Sequence, residues 1–376
     1  MIKEFEFTIM LQNQAIIYVS KYQYVLYQEN LLPWGLRGYI YQNDDSVTVY
    51  KKVINWAIQR MIHYNNTNGN WLWNYCFNGR SLYCDEVYDF ILKYHLTSVH
   101  DEYWLKSPAD TTTWEQITPK RNSINQKTAD IQIGKAYPGQ YAIRDADSPV
   151  MPAYTTYGNM QKAWYTIDGK PYLLKRNNSK EKNAQTEVIV SKLLDCFADC
   201  KHVTYTSDFI WMIYRKKHRK RKRKEYVCKC EPVCADGYSF IHAEEIYQYC
   251  AHNQLNFQDF ILEIAKEDVL KMCIIDYIIG NPDRHLRNWG FIQDDSTGNL
   301  IGLAPLFDHD RSFEETDEMK SLIFPEKTMK EVAIEASQIV DMSFKKSLFW
   351  WIFSMTNRGK EVEERRKKCT AIKRPD

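Results

Sequence analysis

The stretch "DYIIGNPDRHLRNWGFI", residues 276–292, constrains the fold more than any other part of the chain. An apolar helical run reaches Gly280 and must stop there. Glycine takes the left-handed conformation that closes helices, and Asn281-Pro282 behind it reads as a turn. A helix is therefore expected over about 257–280, with Ile261, Ile264 and Ala265 opening its apolar face. Beyond the turn, "RNWGFI" and "IGLAPLFD" read as two strands separated by the polar linker "QDDSTGNL". Antiparallel pairing about that linker sets residues 287–289 opposite roughly 304–306. Asn288 and Asp308 then share the open end of the hairpin, with Asp283 immediately before it. The spacing from Asp283 to Asn288 is that of a phosphoryl-transfer loop, in which the aspartate accepts a hydroxyl proton and the asparagine holds magnesium. A hard Mg²⁺ ion prefers one or two protein oxygens, with phosphate and water completing its shell. The plainer reading is a solvated loop capping a helix, with Asp308 an ordinary turn aspartate.

A second hairpin lies upstream. "AWYTI" and "KPYLLK" flank Asp168-Gly169, a dipeptide that favours the type I′ turn. Lys175 closes the second strand, so it lies near the start of the first strand and the loop "TTYGNMQ" (155–161). A strand-ending lysine beside a glycine-containing loop is one ingredient of a nucleotide site, although this loop has a single glycine, Gly158. A helix is expected from about 180 to 197, with Val190, Leu193, Leu194 and Phe197 on its buried stripe. Glu187 falls on the same inward side. A carboxylate facing a core needs a partner, and Lys175 is the nearest candidate in sequence; otherwise Glu187 reaches solvent.

Together, "YGNMQKAW", "YLLK", "TEVIVSKLL", "DYIIGNPDRHLRNWGFI" and "IGLAPLFDHDRSF" resemble the HipA-like serine/threonine kinases, bacterial and phage-borne relatives of the protein-kinase fold. The resemblance covers about 150–315, and "ILKYHLTSVHDEYWLKS" (91–107) also resembles the region upstream in those kinases. It implies an α+β, two-lobed protein-kinase-like fold with a mixed α/β N-terminal extension. The expected division is 1–110 accessory, 111–235 nucleotide-binding lobe and 236–376 helical catalytic lobe. The resemblance further implies ATP and Mg²⁺ as cofactors. Lys175 becomes the phosphate-binding lysine with Glu187 its partner, and the loop at Gly158 covers the phosphates. Asp283 becomes the catalytic base, Asn288 and Asp308 the magnesium ligands, and His285 a brace for the loop. Because some of these kinases modify a hydroxyl in their phosphate-covering loop, Thr155 and Thr156 become candidate self-phosphorylation sites. The implied substrate is a protein Ser/Thr hydroxyl, and an antitoxin-type partner comes with the resemblance. Asp283, His285 and Asn288 also resemble the loop of small-molecule kinases such as aminoglycoside phosphotransferases. "DRHLRN" resembles phosphatidylinositol kinases, so the motif leaves the acceptor open. A catalytically silent kinase fold that only binds is the remaining reading.

Charge sets one segment apart. The 376 residues carry a net charge of +2, but "RKKHRKRKRK" (215–224) holds nine Lys or Arg, leaving −7 for the rest. Nine mutually repelling cations cannot pack in a core, so an exposed mobile hairpin tip between the strands "FIWMIY" and "EYVCKC" is expected. Arg219, Lys220, Arg221, Lys222 and Arg223 would make a salt-dependent contact with nucleic acid or another polyanion. No aromatic residue interleaves these charges, so base stacking within the run is not expected. "DEVYDFILKYHL" (85–96) has helical spacing at Val87, Phe90, Ile91 and Tyr94, whereas 106–150, dense in Pro, Asp, Thr, Ser and Gly, suits an extended connection. The start of the sequence lacks a signal-peptide pattern and no apolar run spans a bilayer, so a cytoplasmic protein with no membrane contact and reduced cysteines is expected. Cys228, Cys230, Cys234 and Cys250 with His242 lack the paired spacing of a zinc ribbon.

Overall fold

A computed structural model describes residues 5–41, 43–60, 94–135, 160–177, 182–197, 200–216, 219–342 and 359–370. The described strands form three sheets. The first has four strands in the order β3-β2-β1-β4, from β1 (Phe7–Leu11), β2 (Gln14–Val19), β3 (Tyr24–Leu26) and β4 (Tyr103–Lys106). The second has the order β5-β6-β8-β7, from β5 (Lys162–Ile167), β6 (Lys170–Arg176), β7 (Thr206–Lys216) and β8 (Arg219–Cys230). The third has the order β11-β10-β9, from β9 (Tyr238–His242), β10 (Gly290–Asp294) and β11 (Leu300–Leu303).

The chain divides into two compact units. The first comprises residues 1–178, 208–241 and 293–299. Its N-terminal sheet is covered by α1 (Ser46–Gln59), which starts where the Asp45 carboxylate accepts from Thr48 N–H at 2.7 Å. Val49, Val53, Ile54, Trp56 and Ala57 of α1 pack with Ile9, Ile16, Ile17 and Val19 of the sheet. Arg60, just past the helix, makes a buried bidentate pair with Asp101, at 2.7 and 2.9 Å.

The region 106–135 is not the extended connection expected from its polar composition. It holds α2 (Trp114–Ile117) and α3 (Gln126–Gln132). Both are too short to show periodicity, and both are set by capping. Thr113 and Gln116 form a capping box, and Asn125 accepts from Lys127 and Thr128. Ala129 of α3 and Ile133 just beyond it pack against Ala163, Leu174 and Val227 on one face of the second sheet. Of the helix expected at 85–96, Val87, Phe90 and Ile91 lie outside the described residues, and Tyr94 is buried.

The cationic run closes a hairpin as expected, since β7 and β8 are neighbours in their sheet, but apart from residues 217–218, which are not described, it is strand rather than loop. A strand sends successive side chains to opposite faces, so same-face cations among the exposed residues 221–224 stand roughly 6.6 Å apart, where water and salt weaken their repulsion.

The second unit comprises residues 179–207, 242–292 and 300–376. It contains α4 (Asn183–Leu194), α5 (Ala243–His252), α6 (Phe257–Ile279), α7 (Met329–Ile339) and α8 (Gly359–Thr370). The expected stripe of α4 is buried at Val190, Leu193 and Leu194, with Phe197 just past its end. The long helix also runs as expected, with a kink at Ala265 (φ −149°, ψ 50°). Eight described cysteines stand outside any disulfide. No described helix is long and apolar enough to cross a membrane.

Candidate active site

In the first unit, Asp168 and Gly169 take φ of 50° and 79°, both positive as the type I′ turn requires. The turn fixes the register of the hairpin, Ile167 opposite Lys170 and Lys162 opposite Lys175. On its other side Lys175 pairs with Cys228 of β8. Lys175 is 1% exposed, and a buried ammonium is costly unless it is paired. The loop that precedes β5, with Thr155, Thr156 and Gly158, lies outside the described residues.

In the second unit the helix stop is built as the sequence demands. Gly280 sits at φ 63°, ψ 51°, and a Cβ there would come within 2.4 Å of the Glu314 carbonyl oxygen. The next residues are organised by a group the motif reading overlooked. Asp276, buried near the end of α6, takes two hydrogen bonds from the Arg284 guanidinium, both at 2.8 Å. A third comes from Asn281 Nδ2 at 3.0 Å. Arg284 then donates from Nη1 to the carbonyls of Asn288 (2.6 Å) and Phe307 (2.8 Å). One buried cation thus ties together the end of the helix, the loop after Asp283 and the backbone just before Asp308. Burial alone would lower the Arg284 pKa, but the carboxylates of Asp276, Asp308 and Glu187 outweigh it and raise it.

The candidate ligands follow from that frame. Asn288 is 5% exposed and donates from Nδ2 to the Asp283 carbonyl at 2.8 Å, so its amide oxygen is the atom offered to a ligand. Asp283 is half-buried, and its N–H is held by Asn281 Oδ1 at 3.3 Å. His285 is exposed, and its Nδ1 accepts from Arg287 N–H at 3.2 Å, a local brace within the loop.

Asp308 is not on a strand end as expected, because β11 stops at Leu303. It sits instead in an irregular segment at φ 60°, a left-handed conformation that Asp tolerates better than most residues. The segment is pinned on both sides. Leu306 bridges to His202, Phe307 O accepts from Arg284, and His309 N–H donates to the Glu187 carboxylate at 3.0 Å. Asn183 of α4 reaches Asp310 at 3.1 Å. Glu187, 0% exposed as its inward position predicts, therefore steadies the segment that carries Asp308. Among the described residues no group of three or more His, Cys, Asp or Glu is placed to hold a metal. Asn288 and Asp308 would offer Mg²⁺ one amide oxygen and one carboxylate, donor types that a hard ion takes when phosphate and water fill the rest of its shell.

Comparison with known proteins bears on this geometry. The family model described as phosphatidylinositol 3- and 4-kinase matches residues 203–329, about a third of the chain, a span that contains Asp283, Asn288 and Asp308. HipA of Shewanella oneidensis MR-1, solved with HipB and its operator DNA, is similar over 97% of this chain and 96% of its own. The TM-score is 0.52 at 11% identity. The chain has a kinase-like fold. The Helicobacter pylori proinflammatory kinase CtkA is also similar, with TM-score 0.38 and 14% identity over 58% of this chain and 91% of its own. Among curated proteins, none matches the sequence significantly. The kinase-like phosphotransferase fold expected from the motifs is therefore present, with strand β6 carrying Lys175 and the Arg284 frame carrying Asp283, Asn288 and Asp308.

Proposed function

We propose that this protein is an ATP- and Mg²⁺-dependent phosphotransferase acting on Ser/Thr hydroxyls of proteins. The observation that carries the reading is the Asp276–Arg284 frame. One buried ion pair fixes the three backbone segments whose side chains a phosphoryl-transfer site needs. ATP would supply the phosphoryl group and Mg²⁺ would neutralise its charge. The chain's own residues do the positioning. Lys175 orients the phosphates, Asn288 Oδ1 and the Asp308 carboxylate offer the metal oxygen ligands, and Glu187 holds the segment that carries Asp308. Asp283 orients the acceptor hydroxyl and takes its proton as transfer completes.

The match of residues 203–329 to the phosphatidylinositol kinase model favours a second reading, in which the same site serves a lipid head group or another small alcohol. Incubation with γ-labelled ATP, magnesium and a cell lysate separates the two. Label on proteins supports the first, label in the lipid or small-molecule fraction supports the second, and no transfer at all contradicts both. Within the first reading, Thr155 and Thr156 are sites of self-phosphorylation. Their phosphate would add nearly two negative charges beside the phosphate-covering loop and disable it. An antitoxin-type protein partner and a cytoplasmic setting belong to the same reading, supported by the likeness to HipA solved with HipB.

A further inference from the structure

The cationic run itself contains no aromatic residue, but pairing of β7 with β8 brings aromatic side chains alongside it. Strand β7 is the edge of its sheet, and its two faces differ. Met212 is buried and Ile210 packs on the core cluster beneath α3. On the opposite face Phe209, Trp211 and Ile213 are 50%, 58% and 41% exposed. Alternate residues of a strand share a face at roughly 6.6 Å intervals, so these three form a bare apolar row. The neighbouring strand contributes to the same face: Tyr226 meets Phe209 edge-on at 5.5 Å between centroids. The Lys224 ammonium lies 4.6 Å from the Phe209 ring centroid. Lys222 is on that face by alternation, and it is exposed. Cys228, two residues beyond Tyr226, is the register partner of Lys175, so this row continues the sheet face that carries Lys175.

We propose that this face is a binding platform for single-stranded nucleic acid. The exposed cations Arg221, Lys222, Arg223 and Lys224 of β8 call for a polyanion. The exposed rings of Phe209 and Trp211, flanked by Lys222 and Lys224, add what a polyanion with unpaired bases can use. Bases stack on the rings while the lysines meet the phosphates. Duplex nucleic acid, its bases already stacked, gains only the charge contact. A bilayer gains less, because Phe209, Trp211 and Ile213 are the apolar area this face offers it, a small patch set beside exposed lysines. The inference is independent of the phosphotransferase reading.

Fluorescence anisotropy of the full chain with labelled oligo(dT), oligo(rU) and a duplex of equal length tests it. Single strands should bind more tightly than the duplex. The double variant Phe209→Leu/Trp211→Leu keeps apolar bulk on the strand but removes the rings. It should bind single strands roughly tenfold or more weakly and leave duplex binding unchanged. Lys222→Ser/Lys224→Ser should weaken both and flatten the salt dependence for single strands by roughly 1.4 in log–log slope. A thermal melt matching the parent shows that each variant is folded; if the leucine variant melts early, Trp211→Tyr, which weakens stacking by a smaller step, replaces it. Equal affinity of the parent for single strands and duplex overturns the proposal, as does unchanged single-strand binding by the leucine variant. Sedimentation with phosphatidylserine vesicles retained by the leucine variant, without oligonucleotide binding by the parent, replaces it with a membrane contact.

Discussion

Replacing Arg284 by methionine probes the frame directly. The side chains of Arg284 and Asp276 are 4% and 3% exposed, so the variant leaves an uncompensated carboxylate in the core. Breaking such a pair by removing one partner costs about 3–5 kcal/mol. The carbonyls of Asn288 and Phe307 also lose their donor. For a unit of this size that loss lowers the melting temperature by roughly 10 °C, readable by calorimetry. Asp276→Asn added to Arg284→Met removes the second charge yet keeps an amide oxygen for Asn281 Nδ2. The pair then no longer contains a buried unpaired ion, and most of the lost stability should return. Function should not return with it, because the double variant still lacks the Arg284 bonds that tie the Asp283 loop to the backbone before Asp308. Stability restored without phosphate transfer is the expected outcome. A double variant with the parent's transfer rate would refute the view that Arg284 positions the site. A single Arg284→Met variant as stable as the parent would refute the energetic argument.

Asp308→Ala should weaken Mg²⁺-dependent nucleotide binding severalfold by calorimetry, and unchanged binding would remove it as a metal ligand. Gly280→Ala should destabilise the second unit by more than the roughly 1 kcal/mol of a backbone preference, since a Cβ there meets the Glu314 carbonyl. Mass spectrometry of protein made with ATP should find phosphate on Thr155 or Thr156 that is missing from an Asp283→Ala sample; its absence from residues 148–161 in both ends that idea. Burial pushes the Asp295 carboxyl up to about 7, opposed by hydrogen bonds from Gln293 and Ser239 and assisted by Glu102 and Asp101. The folded state therefore holds this proton more tightly than the unfolded chain. The stabilisation is complete below about pH 4 and is lost as pH rises toward 7. Asp295→Asn should flatten the fall in melting temperature across that window relative to the parent, and an unchanged slope would assign it to other groups.

The parts of the fold legible in the sequence are those in which local chemistry leaves one choice. Asp168-Gly169 admits the type I′ turn, and that turn alone sets Lys175 at the open end of its hairpin. Gly280 before Asn281-Pro282 admits only a helix stop. The Arg284 frame was not legible, because an arginine inside "DRHLRN" looks like one more solvated charge. A signal existed in Asp276, an acid within the apolar run "CIIDYIIG", since a charge there must find a partner nearby. Asp308 reads as a strand end because "IGLAPLFD" has strand composition throughout. What ends the strand is the tie of Leu306 to residues 201–203, a contact remote in sequence. The hairpin that carries the cationic run is legible in its flanking strands, but its strand character is not, because repulsion within the run argues for a loop and the backbone pairing that offsets it leaves no mark on the charges.

The most direct test of the central claim is to measure Mg-ATP binding and γ-phosphate transfer on one preparation of the parent and one of Asp283→Ala. The roles assigned here predict nucleotide affinity within a few fold of the parent and transfer reduced to background in the variant, because Asp283 acts on the acceptor hydroxyl while Lys175, Asn288 and Asp308 hold the nucleotide. Transfer by the variant at the parent's rate, or a parent that binds Mg-ATP and transfers nothing to any acceptor in the lysate, would contradict the account.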